Sequence, residues 1–152
     1  ESDELSAIEV MYHAHPELLG RRDADYSALC TQHPAVMAYL RGAVRTLCES
    51  APGLGGFFAI TCSENLTHCK SRKEGEECER CRDIPVDKLV SDVLCAISEE
   101  SRKVNPEIRT IAWNWSWAGF MTDEEIRRYH QFDEFFAGRV VDVKNVETFV
   151  VK

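Results

Sequence analysis

No stretch of this 152-residue chain approaches the roughly 20 consecutive apolar residues that a membrane-spanning helix needs. Positive charge is also in short supply. Lys and Arg number 18 against 26 Asp and Glu, a formal charge of −8, which argues against nucleic-acid partners and against docking on an anionic membrane. The opening Glu1-Ser2-Asp3-Glu4 has neither an initiator Met nor the basic and apolar regions of a signal peptide, and we read the chain as an excised piece of something longer. A nucleotide loop is missing too. Gly53-Leu54-Gly55-Gly56 precedes an apolar run, whereas a phosphate-binding loop follows a strand and opens a helix. There is no G-x-S-x-G elbow, no internal repeat and no low-complexity stretch.

What is present is ordinary globular material, 44% hydrophobic and 29% charged, enough for one domain over residues 1–152 with a real core. Three helices are predicted from their punctuation. The first starts at Pro34, after His33, with a stripe of Val36, Tyr39, Leu40, Ala43, Val44 and Leu47, and closes at Pro52-Gly53. The second starts at Pro85, buries Val86, Leu89, Val90, Val93, Leu94 and Ile97, and stops at Asn105-Pro106. The third opens on the capping box Thr122–Glu125 and runs to Gly138. Between them, the apolar runs 57–62, 108–113, 139–143 and 148–151, with 7–11 as a further candidate, read as buried strands. Strands alternating with helices predict an α/β fold, either an open doubly wound sheet or part of a (β/α)8 barrel of about four or five βα units.

One long connection has unusual composition. Residues 63–85 form a charged insertion rich in cysteine, and Cys62, Cys69, Cys78 and Cys81 are spaced C-x6-C-x8-C-x2-C, with His68 beside Cys69. The pair Cys78/Cys81 is the knuckle that wraps a tetrahedral ion, and Cys69 with Cys62 or His68 completes four ligands. We expect a structural zinc, with disulfides and free thiols as the competing readings. No cofactor for catalysis is expected. Cys30, Cys48 and Cys95 are set apart from the cluster, and Cys48 and Cys95, which fall on helices, read as small buried residues.

Residues just past the carboxyl ends of strands face the ligand crevice in α/β folds. Here they are Ser63-Glu64-Asn65, then Trp113-Asn114-Trp115-Ser116-Trp117, then Asp142. A strand-end carboxyl such as Glu64, desolvated among aromatics, suits a general acid. If 113–117 stays extended, the three indoles share one face and Asn114 and Ser116 the other. Indole faces match the C–H faces of sugar rings, while Asn65, Asn114 and His15 suit hydroxyl groups. Core packing is the competing use for at least one indole.

The phrase Ala28-Leu29-Cys30-Thr31-Gln32-His33-Pro34, then a helix, then Phe57–Ile60 leading into Thr61-Cys62-Ser63-Glu64, resembles family 20 glycoside hydrolases, the β-N-acetylhexosaminidases. The likeness covers about residues 16–117. It implies a TIM barrel, with Glu64 as the general acid/base and Trp113, with Trp115 or Trp117, walling the sugar subsite. The family has Asp before the Glu to orient the 2-acetamido group, and here that position is Ser63. A hydroxyl cannot supply that charge, so another nucleophile is implied, and Asp142 is the partner carboxylate within the chain. The expectation is a fragment of a glycosidase barrel acting on a carbohydrate, in the periplasm or outside the cell, with the rest of the barrel as its partner. The alternative is a non-catalytic carbohydrate-binding or metal-stabilised interaction domain.

Overall fold

A computed structural model describes residues 14–22, 27–62, 66–73, 75–128 and, as backbone, 141–144. After a single 3-10 turn at Pro16–Leu18, strands β1 (Leu19–Arg22) and β2 (Ser27–Leu29) pair antiparallel as a two-stranded ribbon. Helix α1 (Pro34–Ser50) leads to β3 (Gly56–Ile60). Helix α2 (Val86–Val104) leads to β4 (Arg109–Trp113), and a short α3 (Trp117–Phe120) follows before β5 (Val141–Lys144). The strands β3, β4 and β5 form one parallel sheet in that order, with Ile60 in register with Trp113 and Trp113 with Lys144.

The helices begin where the sequence punctuates them. Pro34 occupies the first turn of α1, and the His33 ring Nδ1 accepts a hydrogen bond from the Ala35 amide. The Thr122/Glu125 capping box forms as expected, Glu125 Oε2 accepting from the Thr122 amide and the Glu125 amide donating to Thr122 Oγ1. Glu125 does more than the box requires. Its Oε1 also accepts from the Val86 amide at 3.1 Å, so one carboxylate caps α2 as well as the helical residues 123–128.

Packing follows strand alternation. Phe57, Ala59 and Ala112 face the helices, against Val44 and Cys48 of α1 and Val90 and Leu94 of α2. Phe58 points the opposite way and is half exposed. The stripe expected on α1 is rotated from its predicted position. Val36, Val44 and Cys48 are buried, while Tyr39 and Leu47 are exposed, because α1 covers one side of α2 rather than sitting in a two-sided core. The two helices are also pinned by charge. Arg45 donates to Glu100 at 2.7 Å and Arg41 to Glu99 at 3.0 Å, with the Glu100 side chain almost fully buried.

The barrel expectation is overturned. The described strands make an open three-stranded parallel sheet and a separate antiparallel ribbon, with no series of barrel units. The physical reason lies in residues 19–29. Their strands pair with each other, and Arg21 and Arg22 tie them to the cysteine loop rather than to a parallel neighbour. Arg21 donates to the carbonyls of Cys69, Lys73 and Gly75, and Arg22 bridges to Glu76 through two backbone hydrogen bonds. The predicted strands 7–11 and 148–151 and the last part of the third helix lie outside the described residues.

Candidate functional site

The four sulfurs that meet are those of Cys30, Cys69, Cys78 and Cys81. All lie within 4.8 Å of one another, and all four residues are buried. They arrive from three pieces of chain. Cys30 follows β2 and is fixed by its amide N–H, which donates to the Leu18 carbonyl at 2.9 Å. Cys69 is held from behind by Arg21 Nε on its carbonyl, and Gly20 makes room for its sulfur, since a Cβ there would lie 2.2 Å from Cys69 Sγ. Cys78 and Cys81 close a tight turn, the Cys81 amide donating to the Cys78 carbonyl at 3.0 Å. Leu89 of α2 packs under the group.

All four cysteines are free thiols in the structure, with no disulfide among them. Cys30 Sγ is 3.6 Å from Cys81 Sγ and 3.7 Å from Cys78 Sγ, far beyond the roughly 2.05 Å of a disulfide. The cluster can therefore hold a metal ion. Its electrostatics favour a thiolate on Cys30, whose thiol is held far below its ordinary value by hydrogen bonds from Cys69, Cys81 and Arg80. The hydrogen bond that its thiol makes with the Cys30 sulfur pushes Cys69 up to about 12. Four close sulfurs without a cation must share protons in this way; a cation relieves the competition.

The ligand set differs from the one read from the sequence. Cys62 and His68 do not join the cluster. Cys62 is fully buried in the apolar core with Val86, Val90 and Trp117, and that burial pushes its thiol up to about 12. His68 is also fully buried. Its Nδ1 accepts from the Lys70 amide at 3.1 Å, its Nε2 faces Cys62 Sγ at 3.9 Å, and burial lowers its pKa to about 4. These two residues pair with each other. Cys30 takes the fourth place, and spacing concealed it. It stands 39 positions before Cys69 in the numbering, outside any window in which local ligand patterns are read. The usable signal was chemical: a cysteine at a strand end just before a proline-capped helix.

A second feature runs from the middle of β3 to the carboxyl end of β4 and the turn beyond it. Phe58 and Trp113 lie with ring centroids 5.3 Å apart and planes at 47°, and Trp113 and Trp115 repeat the arrangement at 5.3 Å and 49°. Phe58 and Trp115 are 53% and 47% exposed, so the array opens to solvent. The Trp113 Nε1–H is buried and has no partner among the described residues. Trp117 does not belong to the array. A turn closed by the Trp117 amide on the Asn114 carbonyl, with Ser116 at φ 63°, breaks the extended run. Trp117 is thereby carried into the core, 1% exposed, where its Nε1 donates to Thr61 Oγ1 at 3.1 Å.

The chain matches no protein-family model, no curated protein and no solved structure.

The remaining expected residues divide between the ribbon, the sheet and the parts not described. His15 is exposed at the start of the 3-10 turn and pairs with Glu17 at 3.0 Å, apart from the aromatic contacts. Asn114 lies in the turn after β4. Asp142 is a β5 residue in register with Ile111. Glu64 and Asn65, which follow β3, lie outside the described residues.

Proposed function

We propose that this chain is a zinc-stabilised α/β domain that takes a glycan against the aromatic array. The zinc reading is carried by one observation, the spacing of the sulfurs. Four thiolates bound tetrahedrally at about 2.3 Å stand about 3.8 Å from one another, and the Cys30 distances of 3.6 and 3.7 Å lie close to that edge length. All-thiolate tetrahedral sites suit zinc, and four protein ligands leave no open position for substrate. The metal's role is to hold the ribbon, the cysteine loop and α2 together where apolar side chains are few.

The glycan reading is supported by Phe58, Trp113 and Trp115, tilted rings of which Phe58 and Trp115 are about half exposed and offer apolar faces to solvent. Glu64 follows Ile60, the last residue of β3, by four positions. It supplies the proton to the departing glycosidic oxygen, with Asp142 as the second carboxylate. Two measurements test the proposal. Elemental analysis is expected to find one zinc per chain, and substoichiometric metal overturns the first part. Sugar titration is expected to change the tryptophan fluorescence of the wild type and not of Trp115→Ala; equal responses overturn the second. Glu64→Gln, assayed on aryl glycosides, is expected to lose turnover while keeping the fluorescence response. Unchanged turnover removes Glu64 from the chemistry.

A further inference from the structure

Beside the sulfur cluster lies a cleft of about 330 Å³ between the ribbon and the Cys78–Cys81 knuckle. It is lined by Glu17, Glu76, Glu77 and Glu79 together with Arg22 and Arg80, with the Glu17 carboxylate 3.0 Å from His15 and that of Glu77 3.5 Å from Arg21. Cys78 also lines it. That sulfur residue is the one of the four with measurable exposure, 7% against 0 or 1% for the others, so the cleft is where the cluster comes nearest to water.

Arg80 spans this cleft with three hydrogen bonds. Its Nε donates to Cys30 Sγ at 3.3 Å, and its Nη2 donates to the carbonyls of Glu17 at 2.9 Å and Leu19 at 2.7 Å. The side chain starts inside the knuckle, between Cys78 and Cys81, and ends on the chain that enters β1. One guanidinium therefore joins both walls to a ligand sulfur. We infer that the cleft is the route by which the metal enters and leaves, and that Arg80 is the latch that governs its exchange. The inference rests on the cluster holding metal, as proposed above.

The physical argument has two parts. An N–H bonded to a metal thiolate draws charge from the sulfur, so that a competing proton, chelator or alkylating agent captures it less readily. The same arginine must also release the Glu17 and Leu19 carbonyls before the ribbon can part from the knuckle. The four carboxylates act earlier, drawing a hydrated cation toward Cys78 over a range set by the ionic strength.

The test uses the full chain loaded with zinc or cobalt(II). Metal release is followed into excess chromogenic chelator, and sulfur reactivity is mapped by N-ethylmaleimide labelling and mass spectrometry. Arg80→Met is expected to release metal roughly 10- to 100-fold faster, with Cys30 labelled first and the cobalt–thiolate charge-transfer band shifted. Arg80→Lys keeps the charge without the fork, and is expected to fall between Met and wild type. Combined Glu76→Gln, Glu77→Gln and Glu79→Gln leaves the latch intact and is expected to slow loading at low salt, the difference vanishing near about 1 M. A wild type that binds no metal defeats the zinc reading itself. Metal bound normally, with release from both Arg80 variants within about twofold of wild type, overturns the latch; if Arg80→Met does not fold, Arg80→Lys decides alone. Loading by the triple variant equal to wild type at low salt overturns the route.

Discussion

Replacing Gly20 with alanine places a methyl group in space held by a sulfur of the four-cysteine cluster. The added Cβ would lie 2.2 Å from Cys69 Sγ and 3.4 Å from the Cys30 backbone. Ordinary contact begins near 3.4 Å, so Cys69 Sγ and the ribbon must separate by roughly 1.2 Å. A metal site tolerates only about 0.2 Å in its bond lengths, and the displacement is several times larger. The strand cannot easily yield, because Arg21 and Arg22 fasten it to the same loop. Overpacking of this kind costs about 1–3 kcal/mol, and here part of the cost falls on the metal. Gly20→Ala should therefore weaken zinc affinity at least tenfold in a chelator competition and lower the melting temperature of the loaded protein. Two glycine variants isolate the cause. At Gly56 an added Cβ would meet the Arg109 carbonyl at 2.5 Å, so Gly56→Ala should loosen β3 from β4 and lower stability with metal affinity unchanged. Gly42, in the exposed middle of α1, has nothing within 4 Å, and Gly42→Ala should stabilise by about 0.5–1 kcal/mol. Gly20→Ala with wild-type zinc affinity would refute the account of how the ribbon and Cys69 fit together.

The other predictions concern charge, the indoles and the shared cap. The Glu100 carboxylate is held down to about 2 by hydrogen bonds from Lys103 and Arg45, so its stabilisation is fully present above its ordinary value near 4.5 and is lost as pH falls toward 2. Glu100→Gln should cost about 1–3 kcal/mol at pH 7, and the gap from wild type, measured by urea unfolding, should close progressively below pH 4.5. Trp117→Phe opens a cavity and removes the indole donor to Thr61 Oγ1, and should cost about 2–3 kcal/mol; Trp115→Ala, at a half-exposed position, should cost under about 1 kcal/mol. Equal losses from the two would show that the indoles are not divided between core and surface. Glu125→Ala removes the acceptor of both the Val86 and Thr122 amides, and should cost about 1–2 kcal/mol while speeding hydrogen exchange at the first turn of α2.

Much of the helix and sheet layer was legible because its signals are local. Pro34, Pro85 and the Thr122/Glu125 box each mark a helix start within a turn of where it falls, and the runs before Ile60 and Trp113 became neighbouring parallel strands. The ribbon was not legible. Leu19-Gly20-Arg21-Arg22 carries no apolar alternation, since what holds it is a set of arginine bonds and a sulfur cluster rather than a buried face. The tryptophans misled for a related reason. Alternation predicts a common face only while the chain stays extended, and the left-handed backbone of Ser116 ends that condition at the residue before Trp117.

The cysteine loop shows the same limit from the other side. Counting ligands within the loop leads to Cys62 and His68, both nearby and both of the right chemistry. Burial separates them from the cluster. Cys62 is enclosed by Val86, Val90 and Trp117, where a bare thiolate is costly and a neutral thiol packs well. His68 has its Nδ1 committed to the Lys70 amide and its Nε2 turned to Cys62. Cys30 has the opposite surroundings, with Arg80 donating to its sulfur and three other cysteine sulfurs within 4.8 Å. A thiolate is stable there, and it brings with it the strand that ends at Leu29. The ribbon is therefore part of the domain because Cys30 is, which makes loss of metal a loss of tertiary attachment for residues 16–30 before it is a loss for the α1–α2–β3–β4 layer. Hydrogen exchange after chelation should distinguish these regions. Rapid exchange confined to the ribbon and the cysteine loop agrees with this ordering, and uniform acceleration across α2 and β4 contradicts it.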